Sequence, residues 1–329
     1  MRHSWENVQR EAAAAGFRAE PMEKALRLLD ILESLRSHPF LKERIVLKGG
    51  TALNLFVLDA PRLSVDIDLN YIGSADREIM LEERPKIEQA VQAVCGRLGI
   101  RIRRVPGEHA GGKWRLSYDG ASGRAGTLEL DMSFMYRIPL WPLELKDSRP
   151  LGAFSVTRIP VLNVHELAVG KLSALFSRNT SRDLFDAHCL FRNIRFDPAR
   201  LRLGFVVYGG ANRRDWRGVQ IEEISADPSD VEQQLVPMLR ADLAPGKTEI
   251  DSWSRKLVEE CREFLSGLLP FKPHEREFLA RLNGQGEIDA SLLTDDGAMQ
   301  ETLRRHPGLL WKAQNVKQYI RRTGAPNGE

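Results

Sequence analysis

The spacing of apolar and polar residues predicts that the first part of the chain alternates helices with short strands. Apolar residues recur at helical spacing over residues 22–35, and the later segment RIVLKGG predicts a short buried strand that ends in two glycines. The segment LSVDIDLNYI alternates with the period of a strand, while residues 77–98 return to helical spacing. Three further strands are predicted for IRIRRV, KWRLSYD and GTLELDMSF.

Helical patterns dominate the remainder of the chain. They cover residues 164–177, 182–191, 253–268, 275–282 and 310–321. Pro and Gly residues separate these segments. We therefore predict an α+β fold, with a mixed sheet and flanking helices in a domain over residues 1–193 and a mainly helical domain over residues 194–329.

Composition and charge exclude several classes of protein. The 329 residues are 42% hydrophobic, which is enough to bury a core, and the net charge of +3 means that a nucleic-acid surface would have to be a local patch. Cys95, Cys189 and Cys261 are far apart and predict reduced core thiols. No run of about 18 apolar residues and no signal-peptide pattern occur, so we expect a soluble cytoplasmic protein without membrane contact.

Two aspartates share one face of the strand predicted for LSVDIDLNYI. Because side chains alternate along a strand, Ser64, Asp66, Asp68 and Asn70 should line the face opposite the apolar residues. The carboxylates of Asp66 and Asp68 would then lie about 7 Å apart, a spacing that suits divalent ions such as Mg²⁺ or Mn²⁺. The alternative for any isolated D-x-D motif is an ordinary solvated strand face.

Two neighbouring features favour the metal interpretation. On the strand predicted for GTLELDMSF, Glu129 and Asp131 face away from the apolar residues, and a strand paired beside the first would add a third carboxylate. Before the D-x-D strand, Gly49 and Gly50 permit close approach of a ligand, and Thr51 is expected to begin a helix whose free N–H groups favour phosphate. A plain turn is the alternative for such a glycine pair.

A lysine interrupts the apolar stripe of the helix predicted over residues 164–177. Asn163 and Glu166 have the spacing of a capping box at the start of this helix, and Lys171 lies on its apolar side. The lysine either extends its charge to water or places that charge on substrate phosphates. Both alternatives are compatible with the pattern.

The next predicted helix carries two acids on one side. Ser181 is the expected N-cap, and Asp183 and Asp186 follow at a spacing of three residues. Acids in a first helical turn are also favourable without any function. The seven histidines include no H-x-x-x-H pair, and we expect His109, His165 and His188 to be structural or exposed rather than metal ligands.

The order of these motifs resembles the AbiEii/MenT toxin group of the DNA polymerase β-like nucleotidyltransferases. The blocks KGGTAL, R-x-S-x-D-I-D-L, L-x-L-D, K-L-x-A-L and RDLFD follow one another from residue 48 to about residue 191. The resemblance implies metal binding by Asp66, Asp68 and Asp131. It implies catalytic roles for these three with Lys171 and with Asp183 or Asp186, between which the motifs do not decide. It implies nucleotide binding by Lys48, Gly49, Gly50, Thr51, Arg62 and Ser64.

The same resemblance implies an activity and partners. Members transfer a nucleoside monophosphate from a nucleoside triphosphate to an acceptor hydroxyl with Mg²⁺ or Mn²⁺, as toxins of toxin–antitoxin or phage-defence modules. The 3′ end of tRNA is the acceptor in some of them, and a cognate antitoxin would be a further partner. The alternatives are nucleotidylation of a protein or a small molecule, and a non-catalytic regulator that binds a nucleotide or a partner.

Two basic segments are candidate surfaces for an RNA acceptor. The first, GIRIRRVP, carries Arg101, Arg103 and Arg104. The second, residues 303–322, mixes arginines and lysines with Trp311 and Tyr319, a composition suited to phosphate contact and base stacking. A solvated helix face is the alternative for either segment.

Overall fold

The computed structural model describes residues 4–104 and 111–323, without the side chain of Arg104, and the chain divides into two compact units. The first unit comprises Met1–Arg137, Pro142–Asn163 and Val231–Ile250, and the second comprises Ile138–Trp141, Val164–Asp230 and Asp251–Glu329. These units are not divided at residue 193. The helices that begin at Val164 and Ser181 belong to the second unit, where Phe176 packs against Phe205. A catalytic domain over residues 1–193 stays a prediction.

The first unit is built on a mixed seven-stranded sheet. Its helices are α1 (Trp5–Ala15), α2 (Ala19–Ser37), α3 (Gly49–Ala52) and α4 (Arg77–Arg97), and a π-helix at Leu53–Val57 continues α3. Its strands are β1 (Ile45–Lys48), β2 (Asp66–Tyr71), β3 (Arg101–Arg104), β4 (Gly111–Asp119), β5 (Ala125–Ser133), β6 (Glu144–Lys146) and β7 (Ile159–Val161). The strand order is β3-β4-β5-β2-β1-β7-β6, with β2–β5 and β1–β7 parallel. The predicted mixed sheet with flanking helices is confirmed.

The centre of the sheet has one apolar face and one charged face. Ile67 and Leu69 of β2 and Leu130 of β5 are buried, whereas Asp66 and Asp68 are half-buried. The predicted alternation in burial therefore holds over residues 66–69, whereas Asn70, expected beside the aspartates, is buried. Helix α2 packs against β5, β7 and α4, and its buried leucines and isoleucine extend the core.

The described part of the second unit is helical. Its helices are α5 (Val164–Arg178), α6 (Ser181–Asn193), α7 (Pro198–Gly210), α8 (Pro228–Asp230), α9 (Ile250–Leu265), α10 (Pro273–Gln285), α11 (Gly297–Arg305) and α12 (Pro307–Thr323). Helix α5 packs against α6 and α7, and α10 packs against α7 and α12. The rings of Phe176, Phe205 and Trp216 contact one another in the core.

Two sequence expectations about the chain as a whole can be compared with the structure. Cys95, Cys189 and Cys261 are buried free thiols, as predicted. No helix within residues 4–104 and 111–323 combines the length and apolar character needed to cross a membrane.

Candidate active site

Three of the predicted carboxylates lie side by side on adjacent strands of the first unit. In the parallel pair of β2 and β5, Asp66 is opposite Glu129 and Asp68 is opposite Asp131. Residues that are paired across two strands share a face, so all four carboxylates project from the same side of the sheet. The condition for a third carboxylate, that the second strand pairs beside the first, is therefore met, and both Asp131 and Glu129 lie opposite the D-x-D pair.

Lys113 and Arg115 of β4 pair directly with Glu129. Lys113 Nζ lies 2.8 Å from Glu129 Oε2, and Arg115 Nε lies 3.6 Å from Glu129 Oε1. The hydrogen bond from Lys113 lowers the pKa of the Glu129 carboxyl below its ordinary value. Glu129 is therefore held as a paired carboxylate at the edge of the site.

Asp68 and Asp131 lack the kind of direct partner that Glu129 has among the described residues. In the described part of the chain, neither carboxylate accepts a hydrogen bond or forms an ion pair. Burial raises the pKa of Asp131 above its ordinary value, and the negative charge of Asp68 acts in the same direction against the charge of Lys48. Two neighbouring acids without a direct cationic partner form a site that a bound cation would stabilise.

The donor set is chemically suited to a hard divalent ion. Carboxylate oxygens are the ligands that Mg²⁺ and Mn²⁺ prefer, and Asp66, Asp68 and Asp131 supply them from two paired strands. Across residues 4–104 and 111–323, however, no three carboxylate, imidazole or thiolate groups already converge in the arrangement of a metal site. The residues therefore fit the ion in the chemical type of their ligands and in sharing one face of two paired strands.

The glycine turn between β1 and α3 lies directly against Asp68. Gly49 has φ +71°, and a Cβ at this position would overlap the Asp68 carboxylate. Only glycine satisfies both conditions, since other residues adopt this backbone conformation with strain and carry the Cβ. Lys48 precedes the turn in extended conformation, is paired with Asp68 across the sheet, and its Nζ lies 5.9 Å from the ring centre of Tyr136.

The helix after this turn begins earlier than expected. The helical segment starts at Gly49 rather than at Thr51, although Gly49 itself has the left-handed φ of the turn. Thr51 is fully buried, and its hydroxyl donates to the carbonyl oxygen of Asp66 at 2.5 Å. In this structure Thr51 thus fastens the start of β2 beside the glycine turn.

Arg62 and Ser64 lie outside the strand that carries the aspartates. Strand β2 begins at Asp66, so the expectation that Ser64 shares the face of Asp66 is wrong: Ser64 is buried and Val65 is half-buried. The physical reason is a competing pairing, because Leu63 N donates to the carbonyl of Met238. Arg62 is buried with its guanidinium donating to the Leu63 carbonyl at 3.0 Å.

The remaining predicted site residues form a buried ion cluster in the second unit. Lys171 Nζ lies 3.0 Å from Asp183 Oδ1 and 2.9 Å from Asp186 Oδ2, and all three side chains are at least nine-tenths buried. Arg178 adds a second cation 2.9 Å from Asp183. Of the two alternatives for Lys171, extension to water is therefore wrong, because two buried carboxylates hold the ammonium group.

The acids of this cluster are placed by the turn between α5 and α6. Thr180 rather than Ser181 is the N-cap of α6, and its hydroxyl accepts from Asp183 N and donates to the Asp183 carboxylate. Ser181 N instead donates to Asp230 at 2.7 Å. Burial acts to raise the pKa of Asp183, but the charges of Lys171 and Arg178 bring it below its ordinary value.

Comparison with protein families decides the relationship that the motifs suggest. The family model described as nucleotidyl transferase AbiEii toxin of type IV toxin–antitoxin systems matches residues 30–281. The chain belongs to this family. No curated protein matches the chain.

One solved structure extends the comparison of the fold. MenT4, the nucleotidyltransferase toxin Rv2826c from Mycobacterium tuberculosis H37Rv, superposes with a TM-score of 0.57 over 94% of this chain and 99% of its own, at 19% sequence identity. At this identity the likeness concerns the fold. The predicted AbiEii/MenT resemblance is confirmed, and this AbiEii-family protein is a nucleotidyltransferase toxin of the type IV class.

Two residues outside the motifs contribute to the electrostatics of the AbiEii-family protein. Lys113 neutralises Glu129, and Arg178 shares Asp183 with Lys171. The alternation in KWRLSYD places Lys113 and Arg115 on one strand face, which is the sequence signal for the first residue. No comparable signal indicates Arg178, because its ion pair depends on the turn that follows α5.

Glu166 forms contacts that differ from the expected capping box. Its carboxylate is buried and accepts from Leu140 N at 3.0 Å and from the Tyr208 hydroxyl at 2.9 Å. Burial raises the pKa of Glu166 to about 7. The side-chain amide of Asn163 donates to Glu144 at 3.0 Å.

Several basic side chains of the two candidate RNA surfaces already have partners within the protein. Arg101 pairs with Asp119 at 2.7 Å, and Arg103 donates to Ser117. On the second segment Lys312 is not a surface cation, because it is nine-tenths buried and donates to the carbonyls of Asn212 and Arg213.

Two of the three histidines named from the sequence form hydrogen bonds within the fold. His165 Nε2 lies 3.0 Å from Asp197 N, and His188 Nε2 lies 2.6 Å from Glu260. His109 and the side chain of Arg104 lie outside the described residues.

Proposed function

We propose that this AbiEii-family enzyme transfers a nucleoside monophosphate from a nucleoside triphosphate to the 3′-terminal hydroxyl of an RNA, with tRNA as the main acceptor. The observation that carries the proposal is the pair Asp68 and Asp131, opposite each other on β2 and β5 without a direct cationic partner and with Gly49 against Asp68. Two such acids beside a glycine turn are hard to explain by fold stability alone. Nucleotidyl transfer uses acids to hold a metal ion and a glycine turn to approach the phosphates.

Asp66, Asp68 and Asp131 would hold Mg²⁺ or Mn²⁺. When bound, such an ion lowers the pKa of the attacking hydroxyl and neutralises charge on the phosphates. The acids fix the position of the nucleotide relative to the sheet, and their own negative charge keeps the site from binding a phosphate without the cation. In the absence of divalent ions we therefore expect weak triphosphate binding.

The turn formed by Lys48, Gly49 and Gly50 would bind the triphosphate. The first N–H groups of α3 have no partner within the helix, and they are donors for phosphate oxygens. Lys48 supplies a positive charge on the same face of the sheet. Because Thr51 and Arg62 already form hydrogen bonds to backbone carbonyls, we assign them the support of this turn and of the approach to β2.

We propose that the Lys171 cluster is also required for transfer. This assignment follows the motifs K-L-x-A-L and RDLFD and is supported by the coupling of all three predicted residues in one cluster. Asp183 contacts two cations and a hydroxyl, whereas Asp186 contacts Lys171 from a fully buried position. Asp183→Asn and Asp186→Asn should each impair transfer, because each removes a carboxylate that contacts Lys171.

The biological setting follows from the family. A type IV toxin acts with a cognate antitoxin, so we propose such a partner, a role in phage defence and action in the cytoplasm. The acceptor is the part of this proposal that the site itself constrains least. The rivals are transfer to a protein or a small molecule, and nucleotide binding without transfer.

One labelling experiment separates these possibilities. The full chain is incubated with each of four α-phosphate-labelled nucleoside triphosphates, with total RNA or total protein, in Mg²⁺ or in excess chelator. We expect Mg²⁺-dependent label on tRNA-sized RNA, and loss of label when the RNA 3′ end has been oxidised with periodate. Label on polypeptide would replace the RNA proposal, and nucleotide binding without any labelled product would replace the enzymatic one.

A further inference from the structure

The last two helices of the second unit carry an acid-free basic stretch. Residues 302–323 contain no Asp or Glu. The cations in this stretch are Arg304, Arg305, Lys312, Lys317, Arg321 and Arg322. In a chain whose overall charge is only +3, this is a local concentration of positive charge.

Most of these cations have no internal partner. Within residues 4–104 and 111–323, Arg305, Lys317, Arg321 and Arg322 form no ion pair or side-chain hydrogen bond, and all four are exposed. Many exposed arginines elsewhere in the second unit do have acidic partners, such as Arg217 with Asp215. A polyanion could therefore bind the four cations without first breaking ion pairs, which lowers the cost of the contact.

Two aromatic side chains are exposed on α12, the helix that carries Lys317, Arg321 and Arg322. Trp311 is 36% and Tyr319 is 46% exposed, although aromatic rings of this size are usually covered in a folded protein. Trp311 and Arg322 are eleven residues apart, a spacing that returns to the same side of a helix. Rings and cations therefore alternate along the solvent side of α12.

The opposite side of α12 is fixed in the core. Leu309, Ala313 and Val316 are buried, and Lys312 is tied to the carbonyls of Asn212 and Arg213. The aliphatic chain of Lys317 lies against Gly286 at the end of α10. The helix backbone that carries the exposed side chains is consequently held by the core, so binding does not have to order the helix itself.

We propose that this surface binds the single-stranded part of an RNA. The basic face is defined by Arg305, Trp311, Lys317, Tyr319, Arg321 and Arg322. Its unpaired cations contact phosphates, and its two rings stack on bases. The inference rests on the proposed function in taking RNA as the acceptor, and it adds the place where that acceptor is held.

Charge and aromaticity together favour RNA over other polyanions. An acidic protein would complement the cations but would leave two exposed rings without a specific use. Bases have a π-face that each ring can cover, and stacking of this kind contributes about 1–3 kcal/mol per base. A bare polyanion should therefore bind more weakly than RNA of equal charge.

The test compares two variants with the same change of charge. Variant A replaces Arg305, Lys317, Arg321 and Arg322 with Gln. Variant B replaces four exposed cations elsewhere in the second unit, Arg195, Arg200, Lys256 and Arg276, with Gln. Binding of deacylated tRNA and of polyglutamate is measured between 50 and 200 mM salt, without nucleoside triphosphate so that no transfer occurs.

We expect variant A to bind tRNA at least tenfold more weakly than variant B at the lowest salt. Since each phosphate contact to a single strand contributes about 0.7 to the slope of log K against log salt, variant A should lose roughly 3 from that slope. Equal affinities and slopes for the two variants would overturn the proposal. So would binding of polyglutamate as tight as that of tRNA by the unaltered protein.

A second pair of variants tests the rings. Trp311→Ala should weaken tRNA binding by at least about fivefold, the lower limit for one stacked base. Leu310→Ala is the matched control, because Leu310 is an exposed apolar residue of the same helix and cannot stack. An equal effect of both substitutions would remove stacking from the proposal.

Failure of this surface can be told apart from failure of the proposed activity. If variant A labels tRNA with an unchanged KM, the acceptor is held elsewhere and the transfer activity stands. If tRNA binds through the basic face but never receives label, the surface stands and the acceptor assignment falls.

Discussion

Replacement of Lys171 by methionine should destabilise the protein by about 3–5 kcal/mol at neutral pH. The substitution removes the ammonium group that lies 2.9 Å from the carboxylate of Asp186, which is fully buried. It also leaves Asp183 with Arg178, whose side chain is 61% exposed and therefore partly screened by water. Removing one partner of a buried ion pair typically costs this much because a buried charge loses its compensation.

The same substitution should have a defined pH dependence. The pKa of Asp183 in the folded protein is below its ordinary value of 3.8, so its stabilising contribution is present above that pH and is lost as the pH falls through the folded pKa. Without Lys171 this contribution shrinks. The difference in unfolding free energy between the unaltered protein and Lys171→Met should thus be largest near pH 7 and decline below about pH 4.

Lys312→Met provides the matched control. Lys312 is equally buried but donates to two backbone carbonyls, and burial lowers its pKa below the ordinary value. Its removal should change the unfolding free energy by less than about 2 kcal/mol, since the nearby Asp215 keeps its ion pair with Arg217. Urea unfolding followed by circular dichroism at pH 7 and pH 4 measures both variants. Equal stability of Lys171→Met and the unaltered protein at pH 7 would refute the cluster as described.

Two further predictions concern the glycine turn and a buried acid. Gly49→Ala should abolish nucleotidyl transfer and lower the free energy of unfolding by at least about 1–2 kcal/mol, because residue 49 has φ +71° and the added Cβ would displace Asp68. Gly297→Ala is the control, because its added Cβ meets open space, and it should change neither the transfer rate nor the free energy of unfolding. Glu166 has a folded pKa of about 7, so the folded state binds the extra proton and stability should fall as the pH rises from 5 to 8. In urea unfolding, the free energy of unfolding of the unaltered protein should fall by on the order of 3 kcal/mol over this pH range relative to Glu166→Gln. Parallel curves of unfolding free energy against pH for the two proteins would contradict the raised pKa of Glu166.

The strand pattern was sufficient to predict the carboxylate face. Period-2 alternation around Asp66 and Asp68 and around Asp131 is a local property. The pairing of these two strands is not local, because it joins residues about 60 positions apart, and alternation alone does not specify it. The departure at Ser64 could not be predicted in this way. It arises because Leu63 pairs with Met238, a residue far away in sequence.

The partners of buried charges were not predictable from spacing. The pattern indicates correctly that Lys171 lies on the apolar side of its helix, but it does not indicate that Asp183 and Asp186 lie against it. Lys312 shows the converse, because its basic segment suggests a surface role while the fold buries it. Such contacts depend on how helices pack, which local periodicity does not specify.

The central claim is that Asp68 and Asp131 hold the reacting nucleotide through a divalent ion. The most direct measurement compares the initial rate of nucleotide transfer to tRNA by Asp68→Asn, Asp131→Asn and Glu129→Gln across a Mg²⁺ titration. Glu129 shares the same face but is already paired with Lys113, so Glu129→Gln should keep a transfer rate within about tenfold of the unaltered protein. The two aspartate variants should fold normally but lose at least about 100-fold in transfer rate. Asparagine variants that keep the full rate, or a glutamine variant as inactive as they are, would contradict this account.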